Sequence, residues 1–358
     1  MRPAAVAALV CWCATARAGI HPSEADGEGD WVGSESLGLV LLAQGEAIAA
    51  SAPALPGDPP EGESLRLRRV RVGEDLDGRR WRVRAVLEAQ SADAFGDHYD
   101  AVSGGRIEGP LRATDAYLSW APHRVFHVDA GVVPVPFSLT RQVGEADLRL
   151  PERAAFTRTL APDFRAGAAV GGDLGALVYA AAVMSASRTL DGDLFDRGAL
   201  VAVRVAGEPI GPVGTTPWRR APEDPWTDWL RYRLGVSFLY GTLFEARTVG
   251  AGADLTGQWR RFTATAEYIF AHAPSPSGDH QGAVLEPGVT LFARRLDVVA
   301  RGTWERAAGA NGWGAGAAFT LYAPDPRARI QAGVERRTGP SPSGTASYGL
   351  VRLTLTTD

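Results

Sequence analysis

The chain has 358 residues, enough for one large domain or two ordinary ones. Its 37 basic and 41 acidic residues give a net charge of −4, which excludes a strongly basic nucleic-acid binder. Lysine is absent, so every basic side chain is an arginine, charged at any relevant pH and able to meet oxyanions with a planar fork.

Residues 1–18 read as a secretory signal peptide. Arg2 supplies the positive start, residues 4–14 form a short apolar stretch, and Ala16-Arg17-Ala18 fits the small-x-small pattern before Gly19. That stretch falls short of the roughly 20 residues a membrane-spanning helix needs. The bland alternative is an N-terminal core helix. Both cysteines, Cys11 and Cys13, lie inside the segment, so a chain beginning at Gly19 contains none. Residues 19–36, with Glu24, Asp26, Glu28 and Asp30 among glycines, read as a flexible acidic leader. The structured part is expected to run from 37 to 358.

No later run of 18 apolar residues suggests a membrane helix. Residues 166–186 come nearest, but Gly171-Gly172-Asp173 and Gly175 break them as a turn between strands would. What recurs is period-two alternation. Trp81, Val83, Ala85, Leu87 and Ala89 alternate with Arg82, Arg84, Glu88 and Gln90. Leu230, Tyr232, Leu234, Val236, Phe238 and Tyr240 alternate with Arg231, Arg233 and Ser237. The same holds for Phe262, Ala264, Ala266, Tyr268 and Phe270 against Thr263, Thr265 and Glu267, and for Leu296, Val298, Ala300 and Trp304 against Asp297, Arg301, Thr303 and Glu305. Such strands place one face in an apolar medium and the other in a polar one.

Three features favour lipid over a soluble sandwich. Aromatic residues (Trp81, Trp120, Tyr240, Trp259, Tyr322) stand near segment ends, as interfacial girdles do. Segments run about ten residues, the span of a tilted strand. Tight turns alternate with longer linkers at 51–63, 91–110, 134–163, 187–196, 273–281 and 339–344. The expected strands are 38–49, 64–74, 80–90, 111–121, 124–133, 164–172, 176–186, 197–207, 230–240, 247–257, 260–271, 282–293, 296–306, 312–323, 327–337 and 345–356. The fold class is thus all-β, a transmembrane antiparallel β-barrel of about 16 strands, a size that leaves an aqueous channel. Residues 208–229, with five prolines, are long for a connection on the short-turn side. Strand two slips out of strict phase at Arg68-Arg69.

Residues 64–190 resemble the phosphate-selective porin O/P family. The resemblance is carried by Leu67-Arg68-Arg69-Val70-Arg71-Val72-Gly73, Ala113-Thr114-Asp115-Ala116-Tyr117-Leu118, and Asp129-Ala130-Gly131-Val132-Val133-Pro134-Val135-Pro136-Phe137-Ser138-Leu139. Asp147-Leu148-Arg149-Leu150-Pro151-Glu152-Arg153 and Leu160-Ala161-Pro162-Asp163-Phe164-Arg165-Ala166-Gly167 follow in order. It implies a sixteen-stranded homotrimeric channel in the outer membrane, in contact with its lipids, with residues 134–163 folded inward as the constriction loop. It also implies a selectivity set there, for which this chain supplies Arg141, Arg149, Arg153 and Arg158.

Arg69, Arg71, Arg82, Arg84, Arg204, Arg231, Arg233, Arg301 and Arg352 are the candidate pore-lining residues. Rows of guanidinium groups on a low-dielectric wall concentrate small anions such as phosphate. Equally open is that they pair with Glu88, Asp115, Asp129, Glu267, Asp297 and Glu305 and only brace the wall. Pro134 and Pro136 end the fifth strand, since proline donates nothing to a ladder. The histidines (His21, His98, His123, His127, His272, His280) lack metal-ligand spacing, and Gly312-Trp313-Gly314-Ala315-Gly316 lacks the following helix of a phosphate loop. No metal, cofactor or catalytic residue is expected. The leading expectation is a porin for passive diffusion of small solutes. The alternatives are a barrel that is structural or carries a rim enzyme, and a secreted β-rich binding protein.

Overall fold

The computed structural model describes residues 36–51, 62–78, 80–90, 111–143, 148–186, 198–209, 213, 230–243, 246–273, 278–292, 295–307, 309–323, 328–339 and 345–356. The expected signal segment, the leader up to residue 35 and much of several linkers lie outside them. The first eight strands are β1 (Ser36–Ala50), β2 (Gly62–Asp77), β3 (Trp81–Gln90), β4 (Leu111–His123), β5 (Phe126–Pro134), β6 (Phe164–Asp173), β7 (Leu177–Ser185) and β8 (Ala199–Gly207). The second eight are β9 (Arg231–Leu243), β10 (Ala246–Trp259), β11 (Phe262–Ala273), β12 (Gly278–Leu291), β13 (Leu296–Ala307), β14 (Ala310–Tyr322), β15 (Ala328–Thr338) and β16 (Thr345–Thr356). Two short helices, α1 (Leu139–Gln142) and α2 (Ala155–Leu160), lie between β5 and β6.

Each strand pairs antiparallel with its sequence neighbours, and β1 pairs with β16 from Leu42↔Thr356 to Ala50↔Tyr348, closing the sheet into a sixteen-stranded barrel. Closure gives every strand two partners and leaves no open edge. The alternation sorts side chains as expected. On β9, Leu234, Val236, Phe238 and Tyr240 face outward and Gly235, Ser237 and Leu239 face inward. Outward residues on the other strands are likewise apolar, including Leu87, Leu118, Val183, Val201, Leu255, Leu285, Phe319 and Val351. A soluble monomer rarely exposes more than a few hundred Å² of contiguous apolar surface; a belt around the whole barrel is a surface made for lipid.

Aromatic rings border that belt. At the short-turn end Trp120 meets Phe126 edge-on at 6.4 Å, and Trp259 stacks on Phe262 at 6.1 Å. At the other end Trp304 and Trp313 pair at 6.3 Å. Tyr322 is not part of either girdle. It is buried inside the barrel, because Trp313, Phe319 and Leu321 hold the outward phase of β14 and residue 322 falls on the opposite parity.

The connections are more economical than expected on one half of the barrel. Two residues, 244–245, separate β9 from β10, and two, 308–309, separate β13 from β14. The long connections at that end therefore fall mainly among β1 to β8. The phase slip in β2 is a bulge: Gln44 pairs with Arg69 and Gly45 with Leu67, so Arg68 has no opposite residue. After it Arg69, Arg71 and Asp75 point inward while Val72 and Leu76 point out.

The connection from β5 to β6 runs into the barrel. Ser138, with φ of 73°, turns the chain and caps α1, its hydroxyl accepting from the Arg141 amide at 3.3 Å. Phe137, Phe156 and Leu160 then pack with Met184 of β7, Leu200 of β8, Leu239 of β9 and Ile269 of β11 in one apolar cluster. The Phe156 ring lies where a Cβ on Gly282 would stand, so only glycine lets α2 approach β12 this closely. Gly282→Val is expected to leave the ladder intact, since valine favours strands, but to unseat α2 by overpacking worth about 1–3 kcal/mol. Trypsin cutting at Arg153 or Arg158 in a variant that still migrates as a folded barrel on an unheated gel would show it; wild-type protection would count against this packing.

Candidate functional site

The barrel interior is organised by arginines on adjacent strands and on the inward segment. On β2 and β3, Glu88 takes an ion pair from Arg71 at 2.5 Å and another from Arg69 at 3.4 Å. Asp75 takes Arg82 through both guanidinium nitrogens, one at 2.7 Å, and Arg84 at 3.4 Å. Asp77 stands opposite Arg82 on the same face, so this strip of wall gathers four arginines and three carboxylates. Arg204 of β8 reaches across β9 to Asp254 of β10 in a bidentate pair at 2.6 and 2.9 Å, both side chains buried. Such forks satisfy both oxygens at once, which is what makes a buried charge tolerable.

Arg301 and Arg352 tie the wall to the inward segment. Arg301 donates to Glu286 at 2.7 and 2.9 Å, to Glu335 at 3.2 Å, and to the Glu152 carbonyl at 2.6 Å. Arg352 pairs with Glu46 across the β1–β16 seam at 2.7 Å and also contacts the Glu152 carboxylate and the Pro151 carbonyl. Arg149, on the segment itself, donates bidentately to Asp297 of β13 at 2.6 and 2.7 Å and contacts Thr263 of β11. Burial works to lower its pKa, but the hydrogen bonds and charge of Asp297 more than offset that and hold it above the ordinary guanidinium value. Gln331 donates to the Leu148 carbonyl at 2.9 Å and Thr320 to the Arg149 carbonyl at 3.1 Å.

The other loop arginines hold the segment to itself. Arg153 donates to the carbonyls of Thr140 at 3.0 Å and Val143 at 2.8 Å. Arg141 donates to the Arg158 carbonyl at 3.0 Å and pairs with Asp163 at 3.6 Å. Arg158 lies close enough to act electrostatically on Glu335 and Tyr348. Arg231 and Arg233 are half-buried at the start of β9, and Arg233 approaches Glu208 at 3.8 Å. Burial pushes the Glu208 carboxyl above its usual range, partly countered by Arg233.

Of the carboxylates expected to pair with the wall arginines, Glu88 does so with Arg69 and Arg71, whereas Asp297 pairs with Arg149 of the inward segment. Glu267 instead accepts from the Thr140 hydroxyl, and Asp129 lies 3.6 Å from His127. The side chain of Asp115 lies outside the described residues. Sequence reasoning missed Glu46, Asp75, Asp254, Glu286 and Glu335, and the buried inward arginines Arg165, Arg329 and Arg337. Strand parity marks Arg329, Glu335 and Arg337 as one face, but the interstrand register that selects partners is invisible in a single strand. Among the described residues no group of three His, Cys, Asp or Glu side chains is placed to hold a metal ion.

No family model and no curated protein matches the chain. Solved structures do. OmpF of Salmonella typhi superimposes with a TM-score of 0.60 at 11% identity, covering 90% of this chain and 98% of that one. An anion-selective porin of Comamonas acidovorans gives 0.56 at 11% identity over 90% and 100%. A loop-deletion mutant of OmpT, an outer membrane protein of Vibrio cholerae, gives 0.57 at 11% identity over 90% and 99%. The chain has the fold of sixteen-stranded outer-membrane porins.

Breaking one partner of a buried pair leaves a naked charge, at a cost of about 3–5 kcal/mol, whereas an apolar replacement of both is tolerated. Asp297→Leu alone should therefore lower the temperature at which the folded gel band is lost, and adding Arg149→Met should recover most of that loss. A double variant no more stable than the single one would show that Asp297 has another role.

Proposed function

We propose that the protein is an outer-membrane porin, exported by its signal segment and assembled as a homotrimer, which passes small solutes by diffusion and prefers anions. The apolar belt and its two aromatic borders support the location. The homotrimer is supported by a structural neighbour, in-vitro folded OmpT of Vibrio cholerae, which was solved in a trimer form. The segment 134–163, seated against the inner wall, narrows the lumen and acts as the constriction.

The observation that carries the anion preference is the β2–β3 strip, where Arg69 and Arg71 meet Glu88, Arg82 and Arg84 meet Asp75, and Asp77 stands opposite Arg82. Four guanidinium groups thus gather on one strip with three carboxylates, and a positive low-dielectric wall concentrates anions. The adjoining wall, from β12 round to β1, differs. There Arg301, Arg337 and Arg352 face Glu46, Glu152, Glu286 and Glu335, and those arginines act as braces. The resemblance of residues 64–190 to the phosphate-selective porin O/P family makes phosphate a solute to test. Arg141, Arg149, Arg153 and Arg158, on the segment, anchor it rather than bind solute.

Reconstitution in planar bilayers under a salt gradient tests the reading. Wild type should give discrete conductance steps with a reversal potential of anion preference. Arg82→Gln with Arg84→Gln should move the permeability ratio toward cations, and Asp75→Asn should move it toward anions. Unchanged ratios in both variants would reduce the strip to bracing, and absent steps would remove the channel itself.

A further inference from the structure

The outer face of β1, β14, β15 and β16 carries a groove of about 390 Å³, lined by Ala49, Ala315, Val334, Arg336, Ser347 and Gly349. The groove exists because outward positions that hold large side chains elsewhere are alanine, serine or glycine here. Val334 stands 64% exposed at its edge, among the most exposed apolar side chains of the belt.

Arg336 is out of character with this setting. Its neighbours on β15, Glu335 and Arg337, point inward and pair with each other at 3.4 Å, while strand alternation turns Arg336 to the outside. Among the described residues it has no ion pair or hydrogen bond from its side chain. Register fixes its depth. Trp313 pairs with Thr338 and Ala315 with Arg336, so Arg336 stands one outward position deeper than the Trp304–Trp313 border. An outward arginine is penalised more the deeper it sits in the bilayer, and it is tolerated at the interface when an anionic headgroup meets it.

From this placement we infer that the groove is a binding site for a phosphate-bearing lipid, with an acyl chain along the small-residue floor and the phosphate on Arg336. A charge and an apolar trough lie side by side just inside the aromatic border, which suits an amphiphile and no free ion. Arg336 supplies the planar fork that phosphate oxygens take. Ser347 adds a hydroxyl beside it. The inference rests on the barrel spanning a membrane and not on its being a channel.

Two variants separate chain from headgroup. Arg336→Gln removes the charge and keeps the trough. Gly349→Leu fills the trough, and the backbone admits it: a Cβ there meets only a Val334 methyl at 3.7 Å and the Gly333 carbonyl at 3.9 Å. Native mass spectrometry of the detergent-purified full chain would count adducts of dioleoyl phosphatidic acid, of dioleoylglycerol and of glycerol phosphate. Wild type should retain phosphatidic acid over the other two. Arg336→Gln should weaken that retention about five-fold, the effect of one basic residue near an anionic lipid surface. Gly349→Leu should weaken phosphatidic acid and dioleoylglycerol alike.

Equal phosphatidic acid adducts on wild type and Arg336→Gln would overturn the site, as would glycerol phosphate binding as well as the intact lipid. A change in oligomeric mass in Gly349→Leu with lipid adducts unaltered would also overturn it, and would assign the groove to contact between copies. Wild type whose gel migration is unchanged by heating would strike the barrel reading instead, so the two failures are distinguishable.

Discussion

The β1–β16 seam is the constraint on which the structure depends. In hydrocarbon no water is available to hydrogen-bond an open strand edge, so a sheet can cross only if its last strand returns to its first. Here the return is made by a ladder from Leu42↔Thr356 to Ala50↔Tyr348. The same closure creates part of the interior chemistry. It sets Glu46 against Arg352, which are 306 residues apart in the chain, and Arg352 also meets Glu152 on the inward segment. The seam and the seat of the segment are thus one assembly.

The interior is not a uniformly polar lining. Met184, Leu200, Leu239 and Ile269 point inward, where water would meet them in an empty barrel, and each is covered by the inward segment. Full burial of a large apolar side chain is worth about 1.5–3 kcal/mol, so Phe137 and Phe156 hold one side of the segment by packing. The other side is held by the ion pairs Arg149–Asp297 and Arg352–Glu152 and by the hydrogen bond from Arg301 to the Glu152 carbonyl. Apolar packing positions the segment with little directional demand, whereas the bidentate Arg149–Asp297 pair fixes its rotation. The arginines therefore divide by partner: Arg149, Arg301 and Arg352 join the segment to the wall, whereas those on β2 and β3 meet carboxylates of the wall itself.

The outward face shows the same logic in reverse. Large apolar residues fill most of the belt, but Ala49, Ala315, Ser347 and Gly349, with Arg336 beside them, hollow it locally over β1, β14, β15 and β16. A difference in side-chain size on a closed cylinder changes local shape without changing the ladder beneath it. Lipid contact can be specialised there at no cost to closure.

Much of this was legible in the amino-acid order. Alternation such as Leu234, Val236, Phe238 and Tyr240 against Gly235 and Ser237 fixes strand, face and medium locally, because the pleat has a period of two. Sixteen segments, the end of β5 at Pro134 and the phase slip at Arg68 follow from the same local rules. Partners were not legible, because a strand pairs with whatever register the neighbouring turn imposes. Arg82 meets Asp75 and Arg204 meets Asp254 only once β2, β3 and β8 to β10 lie side by side. Nor could alternation reveal that Leu200 and Met184 would be covered from within, or that Tyr322 falls on the inner parity of β14. The sequence by itself determined a barrel of alternating strands and its arginine-rich inner face. Only the tertiary structure decided which carboxylate each arginine meets, where the β5–β6 segment sits and where the outer wall is hollowed, since each depends on residues that meet across closure.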